Sequence, residues 1–145
     1  MNPVVLTVGH SNKSIEQFLH LVQQAGVETV VDCRTRPYSR FCPWFGRDRL
    51  RESLQNVGIT YHYRGKNLGG LGANERFPET VEEVLTMPRP ALLCSEGKPD
   101  DCHRSTLLAP AFHEQGATVR HLLWSGQFVD YLPPAPPPIP DQTLF

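Results

Sequence analysis

The segment Cys94-Ser95-Glu96-Gly97-Lys98-Pro99-Asp100-Asp101-Cys102-His103-Arg104 gathers two thiols, an imidazole, a guanidinium and several carboxylates into one short stretch. The pattern predicts that a strand ends at Cys94, a Gly/Pro turn follows, and a helix starts near Asp101 with Cys102 in its first turn. Unpaired N–H groups at such a helix start stabilise an anion by roughly 0.3–1 kcal/mol, up to ~2 when partly buried. That lowers a thiol pKa by only about 0.2–1.5 units. His103 and Arg104 are the candidates to complete thiolate formation. The chemistry expected is nucleophilic or redox work by Cys94 or Cys102, with His103, Glu96 or Asp32 moving protons. The competing reading is ordinary packing, in which Asp100 or Asp101 caps the helix, Cys102 fills space and Arg104 pairs with a surface carboxylate.

A second chemical stretch runs from Asp32 to Arg51. It carries Arg34, Arg36, Arg40, Arg47, Arg49 and Arg51 among Tyr38, Phe41, Trp44 and Phe45. Guanidinium forks beside aromatic planes can hold phosphates and stack bases, so a nucleic-acid module is an alternative function. The simpler reading is a solvated loop, partly neutralised by Asp48 and Glu52, with its aromatics on the sheet edge. Cys42 and Arg47 share the Cys-x4-Arg spacing of sulfurtransferase and phosphatase loops, but no strand directly precedes Cys42. Cys94 has no arginine at that spacing.

A Cys/His metal-binding structural or regulatory protein is the other alternative, built from Cys94, Cys102, His103 and His10. The spacing of the two cysteines is not that of a zinc finger, so no residue is assigned as a metal ligand. The identity of any cofactor is unknown from the sequence. His62, His113 and His121 are expected at the surface or the sheet edge, and Gly69 and Gly70 could let backbone approach a ligand.

With 14 basic and 15 acidic residues, the chain has no global field that would draw it onto nucleic acid or an anionic membrane. Nucleic acid is therefore not the favoured partner; an anionic small molecule is. No segment approaches the ~20 apolar residues of a membrane span, and Met1 to Asn12 lacks a basic leader, so the expected compartment is the cytoplasm. Cys33, Cys42, Cys94 and Cys102 show no CxxC spacing and are read as free thiols.

The elements that must position these groups alternate between strand and helix, the pattern of βα units feeding a parallel sheet. Strands are expected at Val4–Val8, Thr29–Cys33, Ile59–Tyr63, Ala91–Cys94 and Thr118–Leu123. Ser14 with Gln17, and Thr80 with Glu83, have capping-box spacing. Gly58 is placed to stop the helix marked by Leu50, Leu54 and Val57. Pro110 should kink or shorten the helix running from Asp101 towards Gly116. The fold class is therefore α/β, a mostly parallel sheet of about five strands with helices on both faces, Rossmann-like. Residues 1–131 form the domain and 132–145 a proline-rich tail.

In such a sheet, ligands bind outside the carboxyl ends of the strands. That rule groups Gly9, His10 and Ser11 with Asp32, Arg34, Cys94, Glu96, Trp124 and Ser125. The pieces Thr7-Val8-Gly9-His10-Ser11, Val31-Asp32-Cys33-Arg34 with Pro37 and Ser39, Gly58-Ile59 with Tyr61, Leu68-Gly69-Gly70, and Leu93-Cys94-Ser95-Glu96 through Pro99 to Cys102-His103-Arg104 resemble, in order, the family called domain of unknown function 488. The resemblance implies a compact α/β fold and no agreed activity. It marks His10, Ser11, Asp32, Arg34, Cys94, Glu96, Cys102, His103 and Arg104 for attention. Cys33 stands where that family more often has a small aliphatic residue, which makes it a packing thiol. The combined expectation is an enzyme-like site for an anionic, nucleotide or phosphorylated small molecule. In it His10, Ser11, Arg34, Arg104, Gly69 and Gly70 bind, and Cys94, Cys102, His103, Glu96 and Asp32 react. The reaction type does not follow from the sequence.

Overall fold

The structure is a computed structural model that describes residues 3–69, 74–97 and 102–134. Six strands form one sheet in the order β3-β2-β4-β1-β5-β6: β1 (Val4–Gly9), β2 (Thr29–Asp32), β3 (Thr60–Tyr63), β4 (Pro90–Cys94), β5 (Thr118–Leu122) and β6 (Phe128–Asp130). The first five are parallel neighbours, and β6 runs antiparallel to β5. The expected α/β class and parallel sheet are found. The Rossmann order 3-2-1-4-5-6 is not, because β4 lies between β2 and β1.

Residue alternation along each strand divides the core in two. Leu6, Val8, Val30, Ala91 and Leu93 pack with Phe18 and Val22 of α1 (Ile15–Gln24) and Leu50 and Leu54 of α2 (Arg47–Gln55). Val5, Val31, Leu92 and Cys94 face the other way, towards Leu68 of α3 (Gly65–Leu68), Val81 and Val84 of α4 (Phe77–Leu85) and Phe112 of α5 (Ala109–Glu114). Adjacent positions such as Asp32 and Cys33 thus serve opposite faces. This separation later divides the chemistry.

The Ser14 capping box forms as expected, with Gln17 N–H donating to Ser14 Oγ at 3.1 Å and Ser14 N–H donating to Gln17 Oε1 at 2.9 Å. The Thr80–Glu83 box does not. Pro78 fits the first turn, where a missing N–H does no harm, so α4 begins earlier and Thr80 lies inside it, donating to Arg76 O at 2.8 Å.

The helix expected from Asp101 is also different. Cys102 lies in a bend, and the chain then forms a π-helical turn, Arg104–Leu108, before α5. Ala109 N–H donates to Arg104 O, five residues back. Pro110 cannot donate at all, so the hydrogen-bond register is free to change beside it.

The sixth strand was not foreseen because Phe128, Val129 and Asp130 are exposed and show no buried alternation. A turn through Gly126, at φ 88°, returns the chain to form it. Correcting another expectation, His121 is buried, with Nδ1 2.6 Å from Thr7 Oγ1. Of the proline-rich tail, residues 135–145 lie outside the described residues. No helix among the described residues is long and apolar enough to cross a membrane.

Candidate functional site

The strand ends at Gly9 and Cys94 are pressed together. A Cβ on Gly9 would lie 1.5 Å from Glu96 O, so only glycine permits this approach. The β1–β4 ladder continues beyond both strands through His10 N–H to Cys94 O, 3.0 Å, and Ser11 N–H to Ser95 O, 2.8 Å. Chemistry-bearing residues of β1 and β4 are thereby held at one sheet edge.

On the face covered by α1 and α2, a polar network closes on itself. Arg34 grips Asp32 with two donors, Nε to Oδ1 at 2.8 Å and Nη2 to Oδ2 at 2.7 Å, and Tyr61 Oη donates to Asp32 Oδ2 at 2.5 Å. The remaining Arg34 nitrogen, Nη1, is 3.4 Å from His10 Nε2. His10 Nδ1 lies 2.7 Å from Ser11 O, and its ring stacks on Phe45 with centroids 4.4 Å apart. Nδ1–H therefore donates to the carbonyl and Nε2 accepts from Arg34. Burial pushes the His10 pKa down to about 4, which keeps the ring neutral at physiological pH. Burial and the Asp32 carboxylate push the Tyr61 hydroxyl far up, so it remains a donor.

On the opposite face, ligand atoms of Cys94, Cys102 and His103 all lie within 4.8 Å of one another. Cys94 is buried at the end of β4, whereas Cys102 and His103 are half-buried. His103 Nδ1 is 3.5 Å from Cys102 Sγ, and its Nε2 is 3.1 Å from Leu68 O. The Cys94 thiol, the His103 ring and the Arg104 backbone N–H donate to the Cys102 sulfur and hold its pKa down at about 4. Donating to Cys102 and burial together drive the Cys94 thiol well up. Of the pair, Cys102 is thus the sulfur that gives up its proton first. The two ring nitrogens of His103 face the Cys102 sulfur and Leu68 O.

Arg104 completes this face. Its side chain is fully buried, Nη2 donates to Gly97 O at 2.9 Å, and Nε and Nη1 have no partner among the described residues. A Cβ on Gly9 would be 3.2 Å from Nη1, which places the guanidinium against the backbone of β1. A buried cation with two orphan donors is ordinarily expensive, and it can be offset by an anion.

The sheet therefore divides the candidate residues. Cys94, Cys102, His103 and Arg104 share one face; His10, Asp32 and Arg34 share the other. Asp32 is committed to Arg34 and Tyr61, and Glu96 has an exposed side chain. Gly69 packs tightly, since a Cβ there would meet Thr35 Oγ1 at 2.1 Å; Gly70 lies outside the described residues. His10 is not in the thiol cluster, which removes it from the expected metal set. Leu68 O, Tyr61 and Phe45 are the partners that the sequence did not reveal. Tyr61 had a visible signal as an aromatic hydroxyl on a strand beside Asp32, but its pairing spans 29 residues.

The same three atoms could hold a cation. Tetrahedral sulfur and nitrogen ligands, with bonds of about 2.3 and 2.0–2.1 Å, stand roughly 3.5 Å apart. The Cys102–His103 separation is also 3.5 Å. In the arginine-rich loop, Arg34 is taken by Asp32, Arg47 lies over the Tyr63 ring at 4.6 Å, and Arg51 pairs with Asp48 at 3.3 Å. Tyr38 and Phe41 remain exposed.

The family model DUF488, a domain of unknown function, matches residues 14–83, which agrees with the sequence resemblance. The matched span includes Asp32, Arg34 and Tyr61, while Cys94 to Arg104 lie beyond it. No curated protein and no solved structure matches the chain.

Proposed function

We propose that this DUF488-family chain is a cysteine-dependent enzyme that holds an anionic small molecule against Arg104 and attacks it with Cys102. The observation that carries this reading is the placement, on one sheet face, of the Cys94–Cys102–His103 cluster and a buried guanidinium whose Nε and Nη1 lack partners among the described residues. Cys102 is the nucleophile, because it is the more accessible sulfur and receives donors from Cys94, His103 and the Arg104 backbone. His103 supplies and recovers the proton. Arg104 binds: helix polarity alone contributes about 1 kcal/mol, whereas a desolvated arginine–oxyanion contact adds roughly 1.5–3 kcal/mol. Asp32, Arg34, Tyr61 and His10 fix the neighbouring strand ends from the other face.

Calorimetry with phosphate, sulfate and a panel of nucleotides tests this reading. The intact protein and Cys102→Ser should both bind an anion, and Arg104→Ala should lose it; Cys102→Ser should lose any turnover. Absence of binding at millimolar anion would overturn the reading. A second reading, a resident cation on Cys94, Cys102 and His103, is favoured by their mutual spacing. In it Nε2–H donates to Leu68 O and leaves Nδ1 free to coordinate. Stoichiometric metal in protein purified without added ions would select it.

A further inference from the structure

We propose that Cys94 and Cys102 are a dithiol–disulfide couple that reduces low-molecular-weight disulfides. The proposal rests on the reading of Cys102 as nucleophile and assigns the buried cysteine beside it a second step. The two sulfurs belong to a cluster spanning no more than 4.8 Å, while a disulfide requires about 2.05 Å. Closing that gap is a movement of a few ångströms at most, and Cys102 is the sulfur placed to make it. Cys94 is fixed in a central strand, paired in register with Gly9, and its carbonyl accepts from His10 N–H. Cys102 sits in a bend ahead of a π-helical turn, outside any ladder.

The two thiols also differ in access. Cys94 is 1% exposed, so an external disulfide cannot reach it directly. It can meet only a sulfur that Cys102 has already captured.

In the first step the Cys102 thiolate attacks one sulfur of R–S–S–R. The S–S bond breaks, and the departing thiolate takes a proton from solvent. In the second, the neutral His103 ring takes the Cys94 proton, Cys94 attacks the Cys102 sulfur, and the second R–S leaves with that proton. The dithiol loses two electrons, the disulfide gains two, and two R–SH are released. A dithiol reductant resets the pair.

The test treats the reduced full-length chain with oxidised glutathione and quenches it in acid for intact-mass and peptide analysis. The wild type should lose two hydrogens and yield a Cys94–Cys102 linked peptide. Cys94→Ala and, as a smaller change, Cys94→Ser should instead accumulate a mixed disulfide on Cys102. A mixed disulfide that persists on Cys102 in the wild type, or one resolved by Cys33, overturns the couple while leaving Cys102 as nucleophile. No adduct on Cys102 in any variant overturns both this proposal and the reading on which it rests.

Discussion

Two polar groups lie back to back at the same edge of the sheet, and they differ in completeness. Around Asp32, Arg34 directs three nitrogens at two partners, Tyr61 donates, and His10 is fixed between a carbonyl and a guanidinium. Around Cys102, one sulfur gathers several donors while Arg104 Nε and Nη1 have no acceptor among the described residues. A buried network whose donors and acceptors are all paired positions the chain; one with unpaired donors can take an acceptor from outside.

The largest expected effect comes from breaking the filled side. Asp32→Ala leaves Arg34 buried without its partner and should destabilise by about 3–5 kcal/mol, read as a lowered midpoint in denaturant. Next is the reactivity of the unfilled side with pH. Because the Cys102 pKa is held at about 4, its thiolate persists as pH falls from neutral and is lost only near that value. At pH 5 its alkylation by iodoacetamide should exceed that of an ordinary thiol by about a hundredfold, the gain in thiolate fraction reduced by lower intrinsic nucleophilicity. Mass-spectrometric rates between pH 4 and 8 check this. A curve that rises only above pH 8 would place Cys102 among ordinary thiols.

Tyr61→Phe removes one charge-assisted bond from Asp32 and should cost about 1.5–3 kcal/mol. Smallest in stability, and sharpest for the comparison, is Arg104→Met. The substitution removes a buried cation that lacks two partners and keeps most of its volume, so the folded state should change by less than about 1 kcal/mol in either direction. Anion binding should nevertheless disappear. If Arg104→Met destabilised the chain as severely as Asp32→Ala, the two groups would be structurally equivalent and the distinction drawn here would fail.

How much of this was legible in the sequence depends on whether a feature is local. The Ser14–Gln17 cap, the stop at Gly58 and the apolar strand runs depend on neighbours a few positions apart, and all appear. The position of β4 between β2 and β1 depends on long-range packing, and no local spacing encodes it. The same holds for the site. Cys94, Cys102, His103 and Arg104 were legible as a group because they are close in sequence, and the ligand atoms of the first three lie within 4.8 Å of one another. Arg34 was expected to serve a ligand, but Asp32, two residues away, takes it in a paired contact that side-chain direction alone determines. Period-two alternation placed Asp32 on the face away from the thiols, so its expected partnership with Cys94 gave way to one with Tyr61.

The π-helical turn at Arg104–Leu108 has a consequence for helical phase. Successive residues of an α-helix are offset by about 100° around the axis, so a turn that accommodates one extra residue rotates everything before it by that angle relative to everything after. Ala109 and Phe112 bury themselves in the core from the far side of this offset. Arg104 turns under Gly9 from the near side. Shortening the turn by one residue would restore a regular helix and leave Phe112 in place, but it would swing Cys102, His103 and Arg104 roughly a quarter-turn around the axis. The aim of the thiol and the guanidinium is therefore encoded as an insertion in the helix, separately from the identity of the residues that it aims.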